Sequence, residues 1–200
     1  MASRTVGQHH GNLRTAAIAA AFGEVERGRG VGLSVRALAR TIGVSAGALY
    51  HHFADRTALL DAVARHGFTE LGRVQDEVEH AVDSGDHLDR LILAYLGFAA
   101  EHPHLYRVMF TMVTDAEHSA SPETTTAATA TFDRLTCVVA SMNADLDDAD
   151  AQRRALLIWT LTHGAVELAS WSSRLDPGFT PDRIAAETSR AAVAIATTNT

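Results

Sequence analysis

Apolar residues along this 200-residue chain recur three and four positions apart, the spacing that lines one face of a helix. Glycine, proline or polar breaks divide them into about nine stretches. Leu13, Ala17, Ala20 and Ala21 mark a first helix from about Asn12 to Arg27, ended by Gly28-Arg29-Gly30. Ser34 caps a short second helix carrying Leu38, Ala39 and Ile42, and Gly43 breaks it. Ser45 caps a third helix with Leu49, Tyr50 and Phe53. Asp55 caps a long fourth helix that is anchored by Leu59 and Leu60 and runs to about Val82, before a break at Ser84-Gly85-Asp86. The fifth runs through Leu91, Tyr95 and Phe98 to Glu101. The sixth opens at Pro103 and presents Leu105, Met109, Phe110 and Met112. Residues 114–126 are polar and read as a surface loop, with Pro122 at a helix start. A seventh helix carries Phe132, Leu135, Val139 and Met142. An eighth runs from about Ala151 to Arg174, and Thr180-Pro181 starts an alanine-rich ninth. No alternating β-branched run reaches useful length, so the expected fold class is all-α.

Two short helices joined at a glycine, with the small Ala39 where they cross, make a helix-turn-helix. Gly43 suits the turn because glycine enters the left-handed conformation without steric cost. The second helix of such a pair lies in a DNA major groove, its N-terminal residues nearest the bases. Residues 1–56 are therefore expected to form a three-helix DNA-binding head continuing into a linking helix from about residue 56. Residues 57–200 are expected to form a separate helical-bundle body.

The eighth helix carries two apolar sides. At about 100° per residue, Leu156, Trp159, His163, Val166 and Ser170 fall on one, and Leu157, Leu161, Gly164, Leu168, Trp171 and Leu175 on the other. One side suits the body of the same chain. The other, with Gly164 permitting close approach and the small-residue ninth helix beside it, suits a second copy. A two-fold homodimer burying both helices in a four-helix bundle is the simplest arrangement. A buried helix within one larger core is the alternative.

Composition sharpens this picture. A hydrophobic share of 46% against 20% charged residues indicates a buried globular chain. The net charge of −7 conceals segregation: residues 1–65 hold eight arginines against four acids, a balance of +4 that leaves −11 for the remainder. A basic head on an acidic body fits a head that meets phosphates. Cys137 is the single cysteine, which excludes an internal disulfide and suits a reducing cytosol. Amid Leu135, Val138 and Val139 it reads as an inert buried thiol. The longest apolar run, Ala16–Phe22, is too short to span a bilayer and no signal-peptide layout precedes it, so a cytoplasmic protein without a membrane partner is expected.

The segment G-V-S-A-G-A-L-Y-H-H-F-A-D-R-T-A-L-L, residues 43–60, closely resembles the recognition segment of TetR-like transcriptional regulators. That pattern reads G-V-S-x-G-x-L-Y-x-H-F-x-x-K-x-x-L-L. Arg56 takes the place of the usual lysine, in a chain that contains no lysine at all. Further along, E-H-P-H-L-Y-R-V-M-F and W-T-L-T-H-G-A resemble the sixth- and eighth-helix signatures of a subclass called the WHG domain, through Trp159, His163 and Gly164. The resemblances imply a dimeric, ligand-responsive regulator, usually a repressor, with residues 57–200 as the ligand-binding and dimerisation domain and a pocket inside that helical body. They also imply that Tyr50 and Arg56 hold phosphates while the start of the recognition helix meets base edges.

Candidate DNA contacts are Ser34, Arg36, Ser45, Ala46, Gly47, Tyr50, His51, His52 and Arg56. The small residues at the helix start permit close approach, so readout through methyl contacts, backbone and DNA shape is expected over bidentate pairs. His51-His52 together with His9-His10 could suggest a metal, but no cysteine or carboxylate stands at ligand spacing and neighbouring helical histidines diverge by about 100°. No metal and no cofactor are expected. Candidate pocket residues are Tyr106, Met109, Phe110, Phe132, Trp159, His163 and Glu167. An aromatic and methionine stripe is core more often than pocket, although methionine-lined walls suit adaptable apolar sites. The His163–Glu167 pair at helical spacing contacts a ligand, satisfies itself in the core, or binds metal. The expected partners are a pseudo-palindromic double-stranded DNA operator, a small-molecule effector and a second copy of the chain. Two other classes compete: an enzyme built on His163, Glu167 and Asp115, for which no nucleophile or phosphate-binding loop is present, and a helical protein-interaction module.

Overall fold

The computed structural model describes residues 6–30, 32–81, 86–115, 120–143 and 145–198, with backbone alone for 6–12, 79–81, 170, 172, 173 and 175. Among the described residues there are nine helices and no strand: α1 (Val6–Glu26), α2 (Val35–Thr41), α3 (Ala46–His52), α4 (Arg56–Ala81), α5 (His87–Glu101), α6 (Pro103–Thr114), α7 (Pro122–Met142), α8 (Asp148–Leu175) and α9 (Pro181–Thr197). The all-α expectation holds. The expected break at Ser84-Gly85 lies outside the described residues. The chain divides into two compact units, residues 1–68 with 102–126 and residues 69–101 with 127–200, so α4 and α7 each contribute to both.

In the first unit local chemistry sets each helix start. The Ser34 hydroxyl accepts the Ala37 N–H at 3.3 Å, Ser45 accepts that of Ala48 at 3.1 Å, and the Asp55 carboxylate that of Ala58 at 2.8 Å. Each offers a side-chain acceptor to an amide of the first turn. Gly43, at φ +75°, closes α2, and the next amide, Val44, donates to the Ala39 carbonyl at 2.9 Å. Leu38, Ala39, Leu49 and Phe53 turn inward, with Ala17, Ala21 and Val25 of α1 also buried.

This unit is larger than residues 1–56, because α6 and the starts of α4 and α7 belong to it. Gly67 of α4 makes the room: a Cβ there would stand 2.5 Å from Met109 Sδ of α6. Beside it Phe68 and Phe110 meet edge-on at 5.4 Å, and Tyr106 lies 4.6 Å from Phe110. The His102 Nδ1 stands 3.0 Å from a Glu26 carboxylate oxygen, joining α6 to α1. Asp61 of α4 accepts both the Ser121 amide (3.0 Å) and its hydroxyl (2.7 Å), and Ser121 in turn caps α7 through the Thr124 amide. This clasp explains why helix begins at Pro122 and why Thr124 is fully buried, within the segment expected to be a loop to residue 126. Helix α1 likewise starts at Val6, earlier than the expected Asn12, since no proline interrupts it.

The second unit is built on α9, which packs against both α5 and α8. Its core holds Leu88, Leu91, Ile92, Leu135, Val138, Val139, Ala155, Ile158, Ala192 and Ala196. Each of the larger side chains contributes about 1.5–3 kcal/mol on burial. Arg154, 6% exposed, donates to the Ile195 and Ala196 carbonyls at 3.2 and 2.9 Å, satisfying the end of α9 with a cation. Asp89 receives the Ser189 hydroxyl, and Arg134 pairs with Asp76.

Two expectations about helix faces are corrected. Cys137 is exposed, because Leu135, Val138 and Val139 set the inward face of α7 and position 137 lies about 200° from Leu135. On α8 the inward face is Ala151, Arg154, Ala155, Ile158 and Thr162, a stripe of mostly small or polar residues that hydrophobicity alone does not mark. Leu156, expected inward, is 49% exposed.

Candidate nucleic-acid interface

Adjacent residues of α3 differ in exposure: Leu49 is fully buried, whereas Tyr50 is 43% exposed. The inward hold of Leu49 and Phe53 thus presents the other face to solvent. Of the nine residues expected to touch DNA, Ser34, Arg36, Ser45, Gly47, Tyr50 and His51 are exposed, and Ala46, His52 and Arg56 are half-buried. All nine lie in the first unit. Ser34 and Ser45 accept backbone amides, which leaves each hydroxyl proton available to an outside acceptor. At Gly47 an added Cβ would meet only Ser45 Oγ, at 3.9 Å, so the surface is open there. The His51 and His52 rings stand edge to face at 5.6 Å.

Arg56 has a structural partner that its place in the sequence does not reveal. Its Nη2 donates to the Gly30 carbonyl at 2.7 Å, and its Nε is buried without a partner among the described residues. Beside α2 a shallow groove gathers Arg29, Gly32, Ser34 and Thr41, of which only Ser34 was foreseen. Glu24, which also lines it, is hydrogen-bonded by Arg27 and Arg29, both at 2.7 Å, and these guanidiniums hold its carboxyl below the usual range. Arg36 and Arg40 are exposed, and neither has an ion-pair partner among the described residues. Arg40 was not among the nine, although its place in the last turn of α2 was visible.

The seven expected pocket residues are divided between the units. Tyr106, Met109 and Phe110 are buried in the first, against Gly67 and Phe68. Phe132, Trp159, His163 and Glu167 belong to the second. A cleft in that second unit is lined by Phe132 and Trp159 together with Gln75, Leu91, Ile92, Tyr95, Thr131, Leu135 and Thr162; His163 and Glu167 do not line it. The His163 ring stands 5.7 Å from that of Trp159, and burial lowers its pKa against the opposing pull of the Glu167 carboxylate. Gln75 escaped the sequence reading. Its spacing from Phe68 and Leu71 (positions i, i+3 and i+7 of one stripe) was the available signal. Among the described residues no cluster of three or more His, Cys, Asp or Glu could hold a metal ion, and no helix is long and apolar enough to cross a membrane. The side chains of His9 and His10 lie outside the described residues.

A capped helix-turn-helix with an open recognition face, joined to a helical second unit, defines a DNA-binding transcriptional regulator. The comparisons with known proteins agree. Residues 24–63 match the family described as bacterial regulatory proteins, tetR family, and residues 88–192, more than half of the chain, match the tetracyclin repressor-like C-terminal domain. This chain belongs to the tetR family. A solved Rhodococcus sp. RHA1 protein with unknown function is 30% identical, with a TM-score of 0.77 over 90% of this chain and 93% of that one. The TetR family transcriptional regulator PfmR from Thermus thermophilus shares the fold at 20% identity, with a TM-score of 0.59 over 90% and 96% of the two chains. Among curated proteins, the nucleoid occlusion factor SlmA of Marinomonas sp. (strain MWYL1) is 26% identical over 126 residues, which span 61% of each chain.

Proposed function

We propose that this regulator is a cytoplasmic homodimeric repressor that leaves a pseudo-palindromic operator when a small molecule enters the cleft of its second unit. DNA recognition resides in residues 1–56, through the nine residues named above, and effector binding and dimerisation in residues 57–200. The observation that carries this reading is the composition of α4. This one 26-residue helix begins at Arg56, directly after the recognition helix, and carries Gln75 in the cleft lining. A ligand that favours another placement of Gln75 acts on the helix that follows α3 in the chain, to the extent of its differential affinity for the two states. The dimer reading draws on α8, where Leu157, Leu168 and Trp171 are 53%, 56% and 47% exposed on one side. A contiguous apolar stripe of that kind marks an interaction surface.

The test is fluorescence anisotropy on DNA from immediately upstream of the chain's own gene, with scrambled DNA as control, across a salt series. Saturation at two subunits per site on the specific DNA alone supports a dimeric regulator of its own promoter. Equal, steeply salt-dependent binding to both places the operator elsewhere. Absence of binding to either at low salt removes the regulator assignment. Reporter expression that falls when the protein is deleted identifies an activator in place of a repressor.

A further inference from the structure

We infer that the cleft of the second unit takes an uncharged, largely aromatic molecule whose single hydrogen-bond donor is received by the Gln75 side-chain carbonyl; this rests on the effector reading above. Gln75 is 3% exposed, and its Oε1 has no hydrogen-bond partner among the described residues. A buried acceptor without a donor is unfavourable, so a molecule supplying one gains there. Two of the three other lining hydroxyls, those of Thr131 and Thr162, point the same way. Thr131 donates to the Ala128 carbonyl at 2.7 Å and Thr162 to that of Ile158 at 2.8 Å. With both protons engaged inside their own helices, these threonines present only acceptor lone pairs to the cleft.

Charge and shape narrow the class further. No charged side chain among the described residues lines the cleft, so an ionised ligand would be desolvated without a counter-charge. Leu91, Ile92 and Leu135 form a buried aliphatic floor, whereas Thr131, Phe132 and Trp159 are half-buried and form the rim. The Phe132 and Trp159 rings stand 6.0 Å apart at 68°, offering one face and one edge to a flat guest. As it stands the cleft has about 20 Å³ of room, enough for a single water. An entering ring must turn the two rim aromatics outward, while its donor fixes it to α4.

The experiment uses isothermal titration calorimetry of the full chain with 2-naphthol, its methyl ether and 2-naphthoate. Wild type is expected to bind the naphthol about tenfold more tightly than the ether, and the carboxylate not measurably. Gln75→Leu should bind naphthol and ether alike, with Gln75→Met as a second variant and circular dichroism confirming that each folds. Thr131→Trp, at the rim, should abolish binding of both. If wild type binds naphthol and ether equally and Thr131→Trp blocks them, the donor assignment is overturned and the cleft reading stands. If no probe binds, or binding survives Thr131→Trp, the cleft reading is overturned as well.

Discussion

The Arg56 guanidinium donates to the Gly30 carbonyl at 2.7 Å, tying the first residue of α4 to the loop between α1 and α2. A hydrogen bond from a charged donor contributes about 1.5–3 kcal/mol. Arg56→Ala is therefore expected to lower the unfolding free energy in urea by about that amount and to weaken binding to every DNA sequence. If Arg56 acts on phosphate alone, the variant will lose affinity and salt slope with its urea midpoint unchanged.

Two substitutions in α3 separate fold from readout. Gly47→Ala places a methyl in open space and raises helix propensity by up to about 1 kcal/mol, so the melting temperature should hold or rise while sequence preference changes. Ser45→Ala loses the cap, at about 1 kcal/mol, and Ser45→Asp restores it while setting a carboxylate against the DNA phosphates. Thermal melts paired with anisotropy should show Asp recovering stability and losing affinity. Recovery of both would remove Ser45 from the interface.

The outward face of α8 supplies a test of assembly. Leu157→Glu combined with Leu168→Glu is expected to give a monomer of unchanged helicity by light scattering and circular dichroism, because neither side chain supports the core of its own unit. A dimer that persists would place the two-fold contact on another surface.

Cys137 should react fully with a chromogenic disulfide reagent in the folded protein, as an exposed thiol does. Protection until denaturant is added would mean that another copy covers that side of α7.

Protonation of His163 is disfavoured by burial, so the unfolded chain binds its proton more readily than the folded one. Stability from this group is full above the unfolded histidine range near pH 6.5 and declines as pH falls through it. Urea midpoints between pH 7.5 and 5.5 should drop less for His163→Gln than for wild type. Parallel curves would show that the ring is solvated in the folded state.

Much of the first unit was legible because its determinants are local. Ser34, Ser45 and Asp55 each cap an amide three residues away, and Gly43 is the residue whose backbone the turn requires. The burial of Leu49 beside an exposed Tyr50 then decides which face of α3 is offered to solvent. Such interactions are complete within one helical turn, so residue order alone specifies them.

The rest depended on which distant segments meet. Arg56 found its carbonyl 26 positions away, and Arg154 is buried because the end of α9 lies 41 and 42 positions on. Periodicity marked apolar sides of α8 but not the small-residue stripe that packs, since burial of Ala151, Ala155 and Thr162 is set by the partner helices. The aromatic and methionine residues expected in one pocket fall in two units for the same reason: Gly67 admits Met109 to the first, while Phe132 and Trp159 meet Gln75 in the second. Sequence determined the helices, their caps and which face of α3 stays exposed. Tertiary packing, which assigns each helix face its neighbour, alone decided where a cleft forms and which polar atom stands in it.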